Sequence, residues 1–394
     1  MGPEGSVMVW LDEEPFSDHS GGMNIQPSPD SLDPGFQRTL DAALHRLTEG
    51  LRTLEDPCRF HLQNSPLAAG WQDLRRRASG IRVQLEKRWG PLGAIRDLSG
   101  DPLSSVEGTG PHAHLQGLLA ANTSRVREAS RSIEEQLRLV DSDLAQQMQE
   151  IRYSIYSLDS ICTGILTRGK SLEDRRLYLL VTESLCRGDI YETTEAAIAG
   201  GADIVQLREK DCPTGQLLDM ARRLRAITEK TDTLLIINDH IAVAQLSGAD
   251  GVHLGQEDVP PHEARKILGP DAIIGLSTHC KEQAEKAAGL GADYIGVGPI
   301  HETQTKEHRE AVGPEYIRVA REATPLPGYA IGRVDHTTID RVMAAGADRV
   351  AVCTGIIAQE DPEAATRHLI ERIEAGLDST PPVAKPERES HAHD

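Results

Sequence analysis

The tripeptide Gly-Ala-Asp precedes a short apolar run at four places, in the strings GADIVQL (201–207), GADGVHL (248–254), GADYIGV (291–297) and GADRVAV (346–352). Each string follows a stretch with a helical pattern, and a glycine just past a helix supplies its left-handed end. Continuous apolar runs are typical of parallel strands that are buried on both faces. The four strings therefore predict four helix-to-strand units of one repeated kind.

Four further apolar runs interleave with these, at 177–182, 234–239, 272–277 and 328–332. Eight strands that alternate with helices over about 200 residues are typical of a (β/α)8 TIM barrel. We therefore predict an α/β fold, a (β/α)8 barrel preceded by an all-α N-terminal domain. A barrel of this kind carries its chemistry on the loops that follow the strands.

The residues ahead of the barrel have a helical pattern. Apolar residues step by three and four from Phe36 to Leu54, a basic helix follows at 67–88, and a loop rich in Gly, Pro and Ser spans 90–111. A second apolar stripe from Val126 to Ile155 predicts one amphipathic helix of about eight turns. We expect this helix to pack against the first one or against a partner chain.

These patterns divide the chain into five segments. The prediction is a disordered tail (1–30), a helical N-terminal domain (31–165), a linker (166–176), the barrel domain (177–375) and a second disordered tail (376–394).

Composition narrows the functional class. The 394 residues carry 42 basic and 61 acidic side chains, a net charge of −19, which argues against nucleic acid or an anionic membrane as a partner. Six scattered cysteines without a CxxC pair fit reduced thiols. We find no apolar run of bilayer length and no signal-peptide pattern, and we expect a cytoplasmic protein.

The predicted strand ends carry polar side chains. Arg208 and Lys210 follow strand two with one residue between them, so both can grip one phosphate. Asp239 and Asp258 follow strands three and four, and carboxylates beside a polyphosphate are typical Mg²⁺ ligands. Strand five ends at Ser277.

The last three loops offer hydroxyl groups, cations and glycines, and barrels commonly hold a monophosphate after strands seven and eight. The residues are Thr303, Gln304, Thr305 and Lys306 after strand six, Gly332 and Arg333 after strand seven, and Cys353 and Thr354 after strand eight.

Several of these strings together resemble the thiamine-phosphate synthase family. They are QLREK (206–210), ND (238–239), GADGVHLGQED (248–258), IIGLSTH (273–279), GADYIGVGPI (291–300) and TQTK (303–306). The resemblance implies a transferase of thiamine biosynthesis that joins 4-amino-2-methyl-5-hydroxymethylpyrimidine diphosphate to a thiazole phosphate and releases pyrophosphate. It also implies that Mg²⁺ assists a dissociative substitution.

The resemblance further implies residue roles. The expected metal ligands are Asp239 and Asp258, and the expected catalytic residues are Arg208, Lys210, Ser277 and Lys306. Contacts with the pyrimidine diphosphate are expected from these four residues and from Gln206 and Asn238. Leu207, Glu209 and Gln304 are also expected to bind substrate. Contacts with the thiazole phosphate are expected from Thr303 and Thr305 and from the loops after strands seven and eight, which carry Gly332, Arg333, Cys353 and Thr354. One position departs from the family pattern, because Arg333 stands where a second glycine is usual.

The helical half is similar to an N-terminal extension that is fused to some thiamine-phosphate synthases and is associated with pyrimidine phosphate kinase activity. The similarity rests on charged residues between leucines from Asp41 to Phe60, and 31–165 contains no glycine-rich phosphate loop. For the barrel, a thiazole tautomerase-like relative stays open as an alternative. For the helical domain two alternatives stay open: it phosphorylates the pyrimidine phosphate, which would make the protein bifunctional, or it serves packing or homo-oligomerisation.

Overall fold

The structure is a computed structural model that describes residues 32–95, 114–302 and 311–379. Eight parallel strands close into a barrel in sequential order, each paired with its neighbours and β8 paired with β1. The predicted barrel is therefore confirmed. The strands are β1 (Leu177–Val181), β2 (Ile204–Leu207), β3 (Leu234–Asn238), β4 (Gly251–Leu254), β5 (Ile273–Thr278), β6 (Tyr294–Val297), β7 (Gly328–Ile331) and β8 (Val350–Val352).

The first four helices precede β1, and the others surround the barrel. The four are α1 (Pro34–Phe60), α2 (Ser65–Trp89), α3 (Leu115–Leu137) and α4 (Ser142–Leu172). Those around the barrel are α5 (Ile190–Ala199), α6 (Thr214–Thr228), α7 (Ile241–Ser247), α8 (Pro261–Leu268), α9 (Lys281–Ala287), α10 (Glu315–Ala323), α11 (Ile339–Ala344), α12 (Thr354–Ile357) and α13 (Pro362–Ser379).

Successive residues of each barrel strand point to opposite sides. In β2, Val205 and Leu207 pack in the layer between strands and helices, whereas Ile204 belongs to a second cluster inside the barrel. Three tyrosines, Tyr178, Tyr294 and Tyr329, dominate that inner cluster, with ring centroids 5.2 to 5.7 Å apart. The interior of the barrel is therefore filled.

The N-terminal helices form a bundle in which α1 packs on α2 and α3, and α4 packs on the same two helices. One apolar core lies between the four helices. Ion pairs join Arg127 to Asp159 and Arg152 to Glu134, so residue numbers rise along α3 as they fall along α4. The two helices are therefore antiparallel.

The single long helix predicted from Val126 to Ile155 is wrong, because the chain turns at 138–141 between α3 and α4. The side chain of Asp141 accepts hydrogen bonds from the backbone N–H groups of Asp143 and Leu144, which makes it the N-cap of α4. The apolar stripe continues across the turn because both helices face the same core. The spacing of the apolar residues therefore gives no sign that the helix ends and a second one begins.

The bundle meets the barrel at the N-terminal ends of the strands. Arg168 of α4 donates a 2.7 Å hydrogen bond from Nε to Oδ1 of Asp293, just before β6, and it also contacts the carbonyl of Pro270. The other carboxylate oxygen of Asp293 accepts a 2.7 Å hydrogen bond from Nη2 of Arg265. Leu172, the last residue of α4, is buried in the inner cluster of the barrel. The helix thus closes the end of the barrel opposite to the strand C-termini.

The boundaries between the predicted segments differ in detail. The helix α4 continues through most of the predicted linker, so 173–176 alone connect it to β1, and α13 extends to Ser379 into the predicted C-terminal tail. The tail 1–30, most of the loop 90–111 and 380–394 lie outside the described residues. Among the helices that the structure describes, none combines the length and apolar character that crossing a bilayer requires.

Candidate active site

A cavity of about 740 Å³ opens at the C-terminal ends of the barrel strands. It brings together seven of the residues that the sequence predicted, from four different strands and the loops after them. These residues are Gln206, Arg208, Lys210, Asn238, Asp239, Asp258 and Ser277. We call this cavity the mouth.

The β2 end delivers three of these side chains because alternate residues of a strand point the same way. Arg208 is held by its backbone, since its N–H donates to the carbonyl of Val181 and its carbonyl accepts from Oγ1 of Thr182 at 2.7 Å. Its side chain is buried, and Nη2 finds no hydrogen-bond partner among the described residues. A buried guanidinium with an unused donor is suited to an anionic ligand.

The two predicted metal ligands both line the mouth, and their carboxyl groups are close enough to interact directly. Burial, and then the neighbouring charge of Asp258, raise the pKa of the Asp239 carboxyl. Asn238 donates to Oδ2 of Asp239 at 2.6 Å, and the N–H of Gly255 donates to Oδ2 of Asp258 at 2.6 Å. The Asp239 backbone is left-handed, with φ of 61°, which aims its carboxyl into the mouth at a cost in strain.

This pair fits Mg²⁺ better than a metal that needs many protein ligands. The described residues contain no cluster of three or more His, Cys, Asp or Glu side chains suited to a metal. Mg²⁺ binds through one or two carboxylates together with waters and substrate phosphates. A divalent cation between Asp239 and Asp258 would also offset the repulsion that raises the pKa of Asp239.

Below the mouth runs a chain of hydrogen bonds that sequence reasoning missed. Gln206 donates to the hydroxyl of Tyr178 at 2.7 Å, and that hydroxyl lies 2.8 Å from the hydroxyl of Tyr294. Nδ1 of His253 lies 3.1 Å from the Tyr294 hydroxyl, and Nε2 of the same ring lies 3.0 Å from Oγ of Ser277. Burial raises the pKa of both tyrosines, so their hydroxyls stay neutral.

Two signals in the sequence could have found this chain. His253 is the third residue of the string GVHL in β4, so strand alternation points it inward, as it does Tyr294 at the start of β6. Gly275 leaves room for both rings, because a Cβ there would lie 2.1 Å from Cζ of Tyr294 and 2.5 Å from Nδ1 of His253. Gln256 is a further mouth residue, and its amide donates to the carbonyl of Ser277 at 2.6 Å.

Other predicted residues are not among those that line the mouth. Leu207 is fully buried in the outer layer, and Glu209 accepts a hydrogen bond from the N–H of Glu183 at 2.6 Å. Burial raises the pKa of the Cys353 thiol to about 11, and Thr354 begins α12. The loop residues Thr303, Gln304, Thr305 and Lys306 lie outside the described residues.

The loop after β7 has positive φ values at two consecutive residues. Gly332 and Arg333 have φ values of 122° and 51°. A Cβ on Gly332 would lie 2.7 Å from the backbone nitrogen of Ile300, so the residue must be glycine where the two loops cross. Arg333 adopts the left-handed conformation despite its side chain, and its carbonyl accepts from Oγ1 of Thr338 at 2.9 Å.

Comparison with known families places two models on the chain. One, described as thiamine monophosphate synthase, matches 177–356, which covers the barrel. The other, described as the ThiD2 family, matches 38–160 in the helical bundle.

Individual relatives match over most of the chain. The thiamine-phosphate synthase of Gloeobacter violaceus is 41% identical over 341 residues, which cover 86% of this chain and 97% of the relative. The thiamine-phosphate synthase of Thermosynechococcus vestitus is 39% identical over 353 residues, which cover 89% of this chain and 98% of the relative. A solved thiamine phosphate pyrophosphorylase from Pyrococcus furiosus is 33% identical with a TM-score of 0.48, and covers 54% of this chain and 99% of that one. These two sequence matches include the helical half as well as the barrel.

Proposed function

This chain belongs to the thiamine-phosphate synthase family, and from that membership we propose how its mouth carries out the reaction. The protein is a transferase of thiamine biosynthesis. In the proposed reaction the C–O bond between the pyrimidine methylene and the diphosphate breaks, and the electron pair leaves with pyrophosphate. The thiazole nitrogen then forms a C–N bond to the methylene, giving thiamine phosphate.

One observation carries this proposal. The buried Arg208, whose Nη2 has no hydrogen-bond partner among the described residues, lines the same mouth as the carboxylates of Asp239 and Asp258. Arg208 offers a planar fork and Lys210 a point charge to the departing diphosphate, on the side where its negative charge grows. Both cations are more useful in the transition state than in the ground state, because the leaving group gains charge as the bond breaks.

Asp239 and Asp258 are the residues that would hold Mg²⁺ at the mouth. The ion, when bound, would neutralise charge on the diphosphate oxygens as they leave. Asn238 has a supporting role, because its amide fixes one oxygen of Asp239 and leaves the other for the metal.

The pyrimidine ring is assigned to the inner part of the mouth, above the buried hydrogen-bond chain. Gln206 and Ser277 lie at the two ends of this hydrogen-bond chain. Tyr178 orients Gln206, and His253 orients Ser277. The tyrosines below fill the barrel and exclude water. Exclusion of water protects the electron-poor methylene from hydrolysis until the thiazole arrives.

The thiazole phosphate is assigned to the loops after β6, β7 and β8. Support comes from the left-handed backbone at Gly332 and Arg333, which turns successive N–H groups toward one side, and from the start of α12 at Thr354. Thr303 and Thr305, with Gln304 between them, would complete this grip, and Lys306 would reach the diphosphate.

Pyrophosphate release tests the proposal. The full chain, with Mg²⁺ and both phosphorylated substrates, is expected to release pyrophosphate and form thiamine phosphate in equal amounts, identified by mass. Asp258→Asn should abolish turnover, whereas Asp219→Asn, an exposed acid on α6, should leave it unchanged.

Two results would contradict it. Absence of pyrophosphate release from folded protein would exclude the transferase at this mouth, and isomerisation of the thiazole alone would favour the tautomerase-like alternative. Equal loss in Asp258→Asn and Asp219→Asn would remove the assignment of the metal ligands.

For the whole chain we propose two folded units, the helical domain (31–165) and the barrel (177–375), and self-association through the helices. Exposed apolar side chains on the bundle, such as Leu139 and Ile161, support association. Light scattering on the full chain tests this, and a mass of one chain at all concentrations would contradict it.

A further inference from the structure

A second cavity lies on the outer side of the barrel, toward the end opposite to the mouth. Its volume is about 300 Å³, and it is bounded by α10, by the outer side of β6 and β7, and by the segments that precede β7 and β8. We call this space the outer cavity. Its wall includes Ile317, Ala320, Thr324, Ala330 and Arg349.

The outer cavity lies where the layer of helices around the barrel is thin. Helix α10 packs against α9 but makes little contact with α11, which is six residues long. Beneath this gap Ile295, Val297 and Ala330 belong to the apolar layer between strands and helices. Their neighbours Gly296 and Tyr329 line the mouth instead, so the two cavities share no residue. Because protein interiors are close-packed, a space of this size leaves apolar side chains without contacts that a ligand could supply.

Two buried polar atoms at the outer cavity have no hydrogen-bond partner among the described residues, Oγ1 of Thr324 and Nε of Arg349. Thr324 is 5% exposed, and its N–H donates to the carbonyl of Ala320 at 3.2 Å, which fixes its backbone at the end of α10. Arg349 uses its other two nitrogens, since Nη1 donates to Oδ2 of Asp348 at 2.7 Å and Nη2 donates to the carbonyl of Glu173 at 2.8 Å. A buried polar group without a partner is costly, and a ligand that carries acceptor oxygens would satisfy both atoms.

Charge narrows the class of ligand. The charged residues that line the outer cavity are Arg321, Asp348 and Arg349, so one positive charge is in excess in a chain with a net charge of −19. Most of the remaining wall is apolar. A phosphate group, with about −1.5 to −2 charges at neutral pH, would exceed this balance beside Asp348.

We propose that the outer cavity binds a small carboxylate that carries an apolar ring or a branched apolar chain. Its carboxylate accepts hydrogen bonds from Oγ1 of Thr324 and Nε of Arg349, and its apolar part packs against Ile317 and Ala320. The volume lies at the lower end of the range for small-molecule sites, which limits the ligand to a small one. The proposal does not depend on the activity at the mouth.

Equilibrium dialysis of the full chain against benzoate tests the proposal, and one benzoate per chain is expected. Benzamide has the same ring and nearly the same shape without the charge, and should bind about tenfold or more weakly than benzoate, because it lacks a charged acceptor. Acetate keeps the carboxylate without the ring, and should also bind at least about tenfold more weakly than benzoate, because it buries little apolar surface.

Two substitutions of one residue give a matched comparison. Thr324→Val keeps the shape of the side chain and removes the hydroxyl, so it should weaken the binding of benzoate about tenfold and raise the unfolding midpoint of the ligand-free protein. A higher midpoint cannot arise from misfolding. Thr324→Ser keeps the hydroxyl and should change the affinity less than about threefold.

Three further variants locate the site. Ala320→Leu fills the outer cavity and should abolish binding while the protein remains folded, as its unfolding midpoint would establish. Arg321→Ala removes a cation from the edge of the cavity and should weaken benzoate several-fold. Arg318→Ala, which removes an exposed cation of α10 that does not line the cavity, should change the affinity less than about twofold.

Four outcomes would overturn the proposal. The first is that benzoate does not bind the full chain, so that only water occupies the outer cavity. The second is that benzoate binding survives both Thr324→Val and Ala320→Leu. Equal weakening by Arg318→Ala and Arg321→Ala would mean that the anion responds to overall charge. Loss of binding in Arg208→Met would place benzoate at the mouth.

Discussion

Replacing Arg208 with methionine should make the free protein more stable while it removes activity. The buried Nη2 atom has no partner among the described residues, and a buried unpaired donor costs about 1–3 kcal/mol. Methionine keeps much of the apolar stem and has no donor to bury. We therefore expect the free energy of unfolding without ligand to rise by about 1 kcal/mol, which is about 2–4 °C in Tm.

The same change should cost on the order of 100-fold in kcat/KM for the pyrimidine diphosphate, since one or two charge-assisted hydrogen bonds to the leaving group are lost. Thermal unfolding with and without magnesium pyrophosphate, together with pyrophosphate release, measures both effects. Lys210→Met is the matched control: it removes an exposed cation, so it should lower activity without raising Tm. A lower ligand-free Tm in Arg208→Met, or unchanged stabilisation by pyrophosphate, would refute the reasoning.

Three further predictions concern the metal, the β7 loop and the domain junction. Asp239→Asn keeps a residue that tolerates the left-handed backbone, and should raise the Mg²⁺ concentration needed for half-maximal pyrophosphate release by about tenfold or more; an unchanged requirement would contradict the metal assignment. Arg333→Gly relieves a left-handed side-chain residue and should change KM for thiazole phosphate more than KM for the pyrimidine; equal changes would count against our interpretation of this loop. Arg168→Ala leaves Asp293 short of a partner and should lower the free energy of unfolding in denaturant by about 3 kcal/mol, against less than about 1 kcal/mol for the exposed Arg187→Ala; similar losses would contradict a buried junction.

The barrel could be predicted from the sequence because its strands are short, apolar and separated by repeated helix ends. Three strands, including Ile204–Leu207, begin and end at the predicted residues, and the other five differ by one residue at one end or at both. The mouth followed from the same logic, since parallel strands bring Arg208, Asp239 and Ser277 to one edge wherever they stand in the chain.

What sequence reasoning missed depends on side-chain contact rather than on pattern. The turn before α4 arises from one capping aspartate, Asp141, within an unbroken apolar stripe. The hydrogen-bond chain through Tyr294 and His253 joins residues 41 apart, and only strand register brings them together. The available guanidinium donor of Arg208 likewise depends on what surrounds it, which no local pattern records.

The position of the helical bundle has a consequence for traffic between the two halves of the chain. Leu172 and the tyrosines Tyr178, Tyr294 and Tyr329 block the axis of the barrel between the junction and the mouth. A small molecule released at the helical bundle would therefore reach the mouth through bulk solvent and not along the barrel axis. Joining the two halves in one chain fixes their ratio at one to one, but the filled barrel axis offers no direct route for a small molecule from one half to the other.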